Sequence, residues 1–122
     1  RRIGVLVIEP CMIGAGGMHL VDPLFQKSMI KVARRKNISV VFDEVFSGFY
    51  RLGYERASDV LGEYPDIAVY AKLLTGGAIP FSATLATDEV FNCFLGDSVE
   101  SALLHGHSYA GYPAGCSACL FA

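Results

Sequence analysis

What this sequence has little of narrows its function before any motif is read. Only 18% of its 122 residues are charged, against 52% that are hydrophobic, a balance too apolar for a disordered or solvating segment. Ten Lys and Arg against twelve Asp and Glu give a formal charge of −2, which offers no electrostatic footprint for nucleic acid. The one basic cluster, Lys31 to Lys36, fits the end of a helix, where cations complement the macrodipole. No apolar run reaches the ~20 residues that cross a bilayer as a helix. Repeats and low-complexity linkers are also missing, so residues 1–122 read as a piece of one packed domain without an internal boundary. The chain opens on Arg1-Arg2 before a strand-like run and closes on an apolar stretch with no cap, from which an interior part of a longer protein is expected.

Metal and disulfide chemistry have few residues to use. Cys11, Cys93, Cys116 and Cys119 sit among aliphatic neighbours, and Cys116-Ser-Ala-Cys119 has no second pair to complete a zinc site. Buried, reduced thiols in an intracellular compartment are expected. His105 and His107 have no partner ligands in the sequence around them, and no metal is assigned.

What is present is alternation of strand and helix. Ile3 to Glu9 is a continuous apolar run that predicts a strand buried on both faces, ended by Pro10. Gly14-Ala-Gly-Gly17 predicts a loop. Asp22-Pro23 supplies a helix N-cap and first residue, Phe25, Met29, Val32 and Lys36 share a predicted face, and Asn37 stops the helix. Strands are expected at Ile38 to Asp43, Asp66 to Ala71 and Phe81 to Ala86, with a short helix near Ser58 to Gly62. Thr87 or Asp88 begins a helix through Phe94, and another opens at Pro113. The order implies an α/β fold with a mainly parallel sheet, helices on both faces and one antiparallel strand, because the link from Lys72 to Phe81 is too short for a crossover. In such sheets ligands bind beyond the carboxyl ends of the strands, where Glu9, Asp43 and Lys72 all fall.

Asp43 and Lys72 carry the most chemistry. A carboxylate ending a buried strand needs a cationic or hydrogen-bonding partner, and the protonated nitrogen of a pyridoxal phosphate ring supplies one. A lysine ending the neighbouring strand can attach the aldehyde of the same cofactor, and burial would lower its amine pKa as that role requires. Gly76-Gly77, just past it, lets backbone approach closely. Asp43 also fits a loop cap, and Lys72 a lysine that snorkels to the surface. Val45 could press on a ring held by Asp43 or belong to the core. Ser108 could donate to a phosphate or be an ordinary loop serine. Glu9 and Arg51 lie where they could meet a substrate or each other as an ion pair.

Ile8-Glu-Pro10, Gly14-Ala-Gly-Gly-Met18, Phe42-Asp-Glu-Val45, Gly48-Phe-Tyr-Arg51, Lys72-Leu-Leu-Thr-Gly-Gly77 and His105-Gly-His-Ser108 together resemble the class III (omega) aminotransferases of fold type I, over Ile3 to about Ala118. That resemblance implies the central part of a large pyridoxal-phosphate-binding domain. Lys72 would be the catalytic lysine, Asp43 the partner of the pyridine nitrogen, Val45 a packing residue on the ring and Glu9 a residue close to the cofactor. Arg51 and Gly106 would lie at the substrate, and Ser108 would bind the phosphate of a neighbouring subunit's cofactor in an obligatory homodimer. Gly14 to Met18, Leu74 to Gly77 and Ala83 to Thr87 favour the branch of this family that serves biotin synthesis, with S-adenosylmethionine as amino donor and an amino-oxo acid as acceptor. Val21 to Gln26, Phe42 to Phe46, Tyr50 to Gly53 and Leu103 to Tyr109 are similar to its eukaryotic form, fused to dethiobiotin synthetase and mitochondrial.

Departures from the bacterial pattern fall at His107-Ser108 and Gly111-Tyr-Pro113. The upstream phosphate loop, the aromatic residue for the other ring face and the downstream arginine for the substrate carboxylate, which the resemblance implies, are not in this sequence, so the piece alone is expected to be inactive. Another omega-amino acid aminotransferase or an aminomutase fits the same cofactor residues. A plain nucleotide-binding βαβ domain is the remaining alternative, but the glycine loop begins several residues past Glu9 and no Gly-Lys-Ser/Thr follows.

Overall fold

The computed structural model describes residues 2–122. In chain order the elements are β1 (Val5–Ile8), β2 (Met12–Ile13), β3 (His19–Leu20), α1 (Pro23–Arg35), β4 (Ser39–Asp43), α2 (Ser58–Leu61), β5 (Ile67–Tyr70), β6 (Ala83–Ala86), α3 (Asp88–Asn92) and α4 (Pro113–Phe121), with 3-10 turns at Lys72–Thr75 and Val99–Ser101. Four strands form one sheet in the order β1-β4-β5-β6, and β2 and β3 make a small antiparallel ribbon. Ile8 lies opposite Phe42 and Asp43 opposite Val69 in parallel pairs, whereas Tyr70 faces Ala83 in the expected antiparallel pair. The carboxyl ends of β1, β4 and β5 therefore share one edge of the sheet.

The core occupies one face of that sheet. Ile8, Val40 and Phe42 point at Ile30 and Ala33 of α1 and Leu61 of α2. On the other face Val5 and Val7 are 47% and 59% exposed, so β1 is not buried on both sides as its unbroken apolar run predicts. Nothing among the described residues covers that side of β1.

Helix α1 begins where Asp22 Oδ1 accepts the Leu24 N–H at 2.7 Å, with Pro23 just inside, and ends at Asn37, which takes the left-handed φ of 53°. Its buried face is Gln26, Ile30 and Ala33, with Phe25 and Val32 exposed, one position out of phase with the predicted Phe25-Met29-Val32-Lys36 face. A polar residue at a buried position hides the true phase. Gln26 is accommodated because its Oε1 accepts the Cys11 N–H and its Nε2 donates to the Glu9 carbonyl, at 2.8 and 2.9 Å.

Thr87 is the cap of α3, its hydroxyl accepting the Val90 N–H, and that helix ends at Asn92 rather than Phe94. Helix α4 packs on the Lys72–Thr75 turn. Gly115 lets the helix come close to Phe81, because a Cβ there would stand 2.5 Å from the Phe81 ring. Of the cysteines only Cys11 is buried, and Cys93 and Cys116 are exposed on elements that this chain leaves uncovered. No helix among the described residues is long and apolar enough to cross a membrane.

Candidate active site

Strand β4 delivers Asp43 half-buried to the carboxyl edge of the sheet. Its Oδ1 accepts the Val45 N–H at 3.1 Å, the local turn that an Asp favours, and its other oxygen takes no hydrogen bond among the described residues. Loop cap and ligand are thus compatible roles, one for each oxygen. Val45, half-buried, follows on the same loop.

The next residue, Glu44, is 1% exposed and was not singled out from the sequence. Its carboxylate accepts the Ala57 N–H at 2.8 Å and the Tyr70 hydroxyl at 3.2 Å, tying the far end of the 44–57 loop to β5. Burial pushes the Glu44 carboxyl pKa up, opposed by those two donors. Burial, with the adjacent Glu44, pushes Tyr70 up to about 12, so the phenol remains a donor through the neutral range. Tyr70 also packs edge-to-face on Phe49 with centroids 5.3 Å apart, and a Cβ on Gly48 would stand 2.9 Å from its ring. The loop is pinned by its buried side chains, leaving Arg51 exposed at its tip.

Lys72 follows Ala71, the last extended residue after β5, and takes a φ of 51°. A lysine in the left-handed region is unusual and strained. The 3-10 turn that starts there holds it. Leu74 and Thr75 are buried, Thr75 Oγ1 donates to the Ile79 carbonyl at 2.7 Å, and Gly76 closes the turn at φ 59°. The backbone of Lys72 is thus fixed while its side chain is exposed. The expected desolvation of its amine is not supplied by this chain, because the space beyond the turn is open.

Phe46 joins residues that sequence reasoning considered separately. Its ring lies 4.6 Å from the Arg51 guanidinium carbon and 5.6 Å from Lys72 Nζ. Behind it, a Cβ on Gly14 would stand 2.9 Å from Phe46 Cγ, and the Gly14 N–H donates to Glu9 Oε2 at 2.9 Å. Glu9 and Arg51 therefore do not pair with each other: Glu9 holds the glycine loop, and Arg51 sits over the ring. Among the described residues the ion pairs are Arg34–Asp66 and Arg56–Asp59. A ring next to two prospective functional cations leaves no periodic signal, so Phe46 was not legible beforehand.

An open groove of about 840 Å³ runs from Lys72 to the 105–112 loop. Gly77, Phe81, His105, Gly106 and His107 line it, and Ser108 does not. The structure brings Gly106 to the lysine within one chain and leaves Ser108 exposed on the loop beyond. No group of three His, Cys, Asp or Glu side chains is placed to hold a metal among the described residues.

Comparison with known proteins completes the picture. The family model "Aminotransferase class-III" matches residues 1–122. A protein of Oryza sativa subsp. japonica named bifunctional dethiobiotin synthetase/7,8-diamino-pelargonic acid aminotransferase, mitochondrial, is 57% identical over 97% of this chain and 14% of its own length. An adenosylmethionine-8-amino-7-oxononanoate aminotransferase of Anoxybacillus flavithermus is 40% identical over 98% of the chain and 27% of its own. Among solved structures, the enzyme of that name from Methanocaldococcus jannaschii superposes with a TM-score of 0.86 at 37% identity, over 93% of this chain and 27% of that one. The chain thus spans between a seventh and about a quarter of these relatives' lengths. Matched along its whole length by the family model, with its α/β sheet shared by solved aminotransferases, the chain belongs to the class III aminotransferases.

Proposed function

We propose that this chain is the central part of a pyridoxal-phosphate-binding domain, and that the whole protein transfers an amino group from S-adenosylmethionine to 8-amino-7-oxononanoate, giving 7,8-diaminononanoate in biotin synthesis. The observation that carries the reading is Lys72, held in a left-handed conformation at the end of β5 beside the parallel strand that ends in Asp43. Backbone strain kept by a buried anchor, with a free amine above it, is characteristic of a functional position.

The residues present fit the cofactor. Asp43 has one carboxylate oxygen without a hydrogen bond among the described residues, suited to a pyridinium N–H, and Lys72 lines an open groove. When bound, pyridoxal phosphate supplies an electron sink for the charge left at a carbon that loses its proton. Lys72 would be its point of attachment and, once released, would hold and move the proton at Nζ. Asp43 would keep the ring nitrogen protonated, and Val45 would orient the ring by packing. Glu9 would act close to the cofactor through the glycine loop it holds. Arg51 and Gly106 would meet the substrate. Ser108 lies outside the groove of its own chain, which suits the reading that it serves the phosphate site of a second copy in a homodimer. Fusion to dethiobiotin synthetase and a mitochondrial location are proposed from the name of the rice relative.

The test is the absorption spectrum of the full-length protein purified with pyridoxal phosphate, beside Lys72→Ala, before and after adding S-adenosylmethionine. A visible band that depends on Lys72 and is bleached by this donor is expected. Bleaching only by a different amine would move the protein to another class III activity. A band that persists without Lys72 would remove that residue from the centre of the site.

A further inference from the structure

We infer that Glu44 and Tyr70 are a positioning pair for the cofactor: their side-chain hydrogen bond ties the segment that carries Asp43 to the segment that carries Lys72, and so sets the spacing of the carboxylate and the amine. This deepens the transamination reading and rests on it for the identity of the cofactor. The backbone alone does not set that spacing. The parallel ladder between β4 and β5 ends at the Asp43–Val69 pair, with the Glu44 N–H on the Val69 carbonyl as its last bond. Past that point Tyr70 pairs with Ala83 of β6, on the side away from β4. Among the described residues, the hydrogen bond that joins the two segments there runs from the Tyr70 hydroxyl to Glu44 Oε1, at 3.2 Å. Its acceptor is fixed in turn, because Glu44 Oε2 accepts the Ala57 N–H at 2.8 Å and the residue is 1% exposed. Its donor is fixed by the edge-to-face contact of Tyr70 with Phe49 and by the close approach of Gly48 to the same ring.

Two points of attachment on separate segments strengthen binding fully only when they are already aligned, because otherwise the ligand must order them as it binds. The need is sharper at Lys72, whose φ of 51° persists only while its surroundings hold it. The 3-10 turn holds it from downstream through the buried Leu74 and Thr75, and Tyr70 holds it from two residues upstream. Asp43 directly precedes Glu44, so a shift of the buried carboxylate carries Asp43 with it. Phenylalanine in place of Tyr70 would keep the ring contacts and delete the bond. Glutamine in place of Glu44 would keep both links, its oxygen accepting from Ala57 and its amide nitrogen donating to the Tyr70 oxygen.

The experiment is titration of pyridoxal phosphate into the full-length protein freed of cofactor by dialysis, read by the Lys72-dependent visible band, with circular dichroism confirming that each variant is folded. Tyr70→Phe is expected to weaken cofactor binding roughly three- to tenfold, the worth of one hydrogen bond, and Glu44→Gln to retain it. In an Asp43→Ala background Tyr70→Phe should add little further loss, because the pair acts by aligning Asp43 with Lys72. A merely structural bond would lower the urea midpoint of Tyr70→Phe and leave cofactor affinity where it was. Unchanged affinity in Tyr70→Phe, losses that multiply with Asp43→Ala, or loss of binding in Glu44→Gln would each overturn the inference. If Tyr70→Phe does not fold, the Glu44→Gln titration still decides, since retained binding supports the link and lost binding removes it. Failure of the transamination reading shows in the parent protein instead, as a band that S-adenosylmethionine does not bleach or that Lys72→Ala does not abolish, so the two outcomes are read separately.

Discussion

The two ends of the parallel strands are finished differently. Where the strands begin, the Asp66 carboxylate accepts the Val40 N–H and an Arg34 N–H, both at 2.6 Å, its backbone N–H donates to the Val40 carbonyl, and its carbonyl accepts the Thr87 N–H. Arg34 also donates to the Tyr64 carbonyl at 2.7 Å. Both carboxylate oxygens of Asp66 are thus engaged locally. Where the strands end, Asp43 leaves an oxygen open, Arg51 has no carboxylate, and the buried Ser47 hydroxyl has no partner among the described residues. Backbone strain divides the same way. Of the six non-glycine residues with positive φ among the described residues, Cys11, Met18, Phe49, Tyr50 and Lys72 lie in segments that follow β1, β4 or β5, and Asn37 alone, a residue that tolerates this region, lies at the other end. Local rules are kept where the structure needs stability and broken where it is proposed to bind and react.

That contrast is broken most strongly at Asp66. Asp66→Ala would strand the N–H of Val40, which is 0% exposed, and release Arg34. The expected loss is about 3 kcal/mol, seen as a lower urea midpoint of the full-length protein. The Lys72-dependent absorption band of the folded fraction should be unchanged. If the band were lost together with stability, the two ends would not be separable.

Glu44 gives a smaller and pH-dependent effect at the other end. Glu44→Ala leaves the Ala57 N–H and the Tyr70 hydroxyl without their acceptor, an expected cost of about 2 kcal/mol. Glu44→Gln keeps an acceptor for Ala57 and can donate to Tyr70. Because burial raises the folded pKa of Glu44 above its unfolded value, the folded state holds the proton longer as pH rises. This residue's contribution therefore favours folding at low pH and declines as pH climbs from the ordinary glutamate range through the raised value. Urea titrations across that window should show a shallower decline in Glu44→Gln than in the parent protein. An identical slope would mean that Glu44 does not titrate there.

How much of this was legible in the sequence depended on the kind of signal. Alternation of apolar runs with Asp22-Pro23, Asn37 and Thr87 located the strands and caps, because each acts through local chemistry. The short link after Lys72 fixed the antiparallel strand. Gln26 and Glu44 were missed because a buried polar residue is recognisable only by its partners, and these come from distant segments. The phase of α1 failed for the same reason, and β1 was read as buried on both faces because an apolar run does not say which side is covered. Asp43 and Lys72 could be read as candidates from their places at strand ends, whereas the placing of Phe46 against Gly14 depends on how the loop folds back.

The smallest effect addresses strain directly. Lys72→Gly and Lys72→Ala both remove the amine, so they differ only in what the backbone prefers. At an ordinary turn or helix position Ala is the more stable by up to about 1 kcal/mol, because glycine loses more freedom on folding. At φ 51° the order should reverse, with the glycine variant more stable by on the order of 1 kcal/mol, since alanine keeps the left-handed penalty and glycine does not. Paired urea denaturation of the two full-length variants reads that sign. A more stable alanine variant would mean that Lys72 is not strained, and would remove backbone strain from the case for its role. A more stable glycine variant would show that the position keeps lysine against its own conformational preference, the strain that the proposed role of the amine calls for.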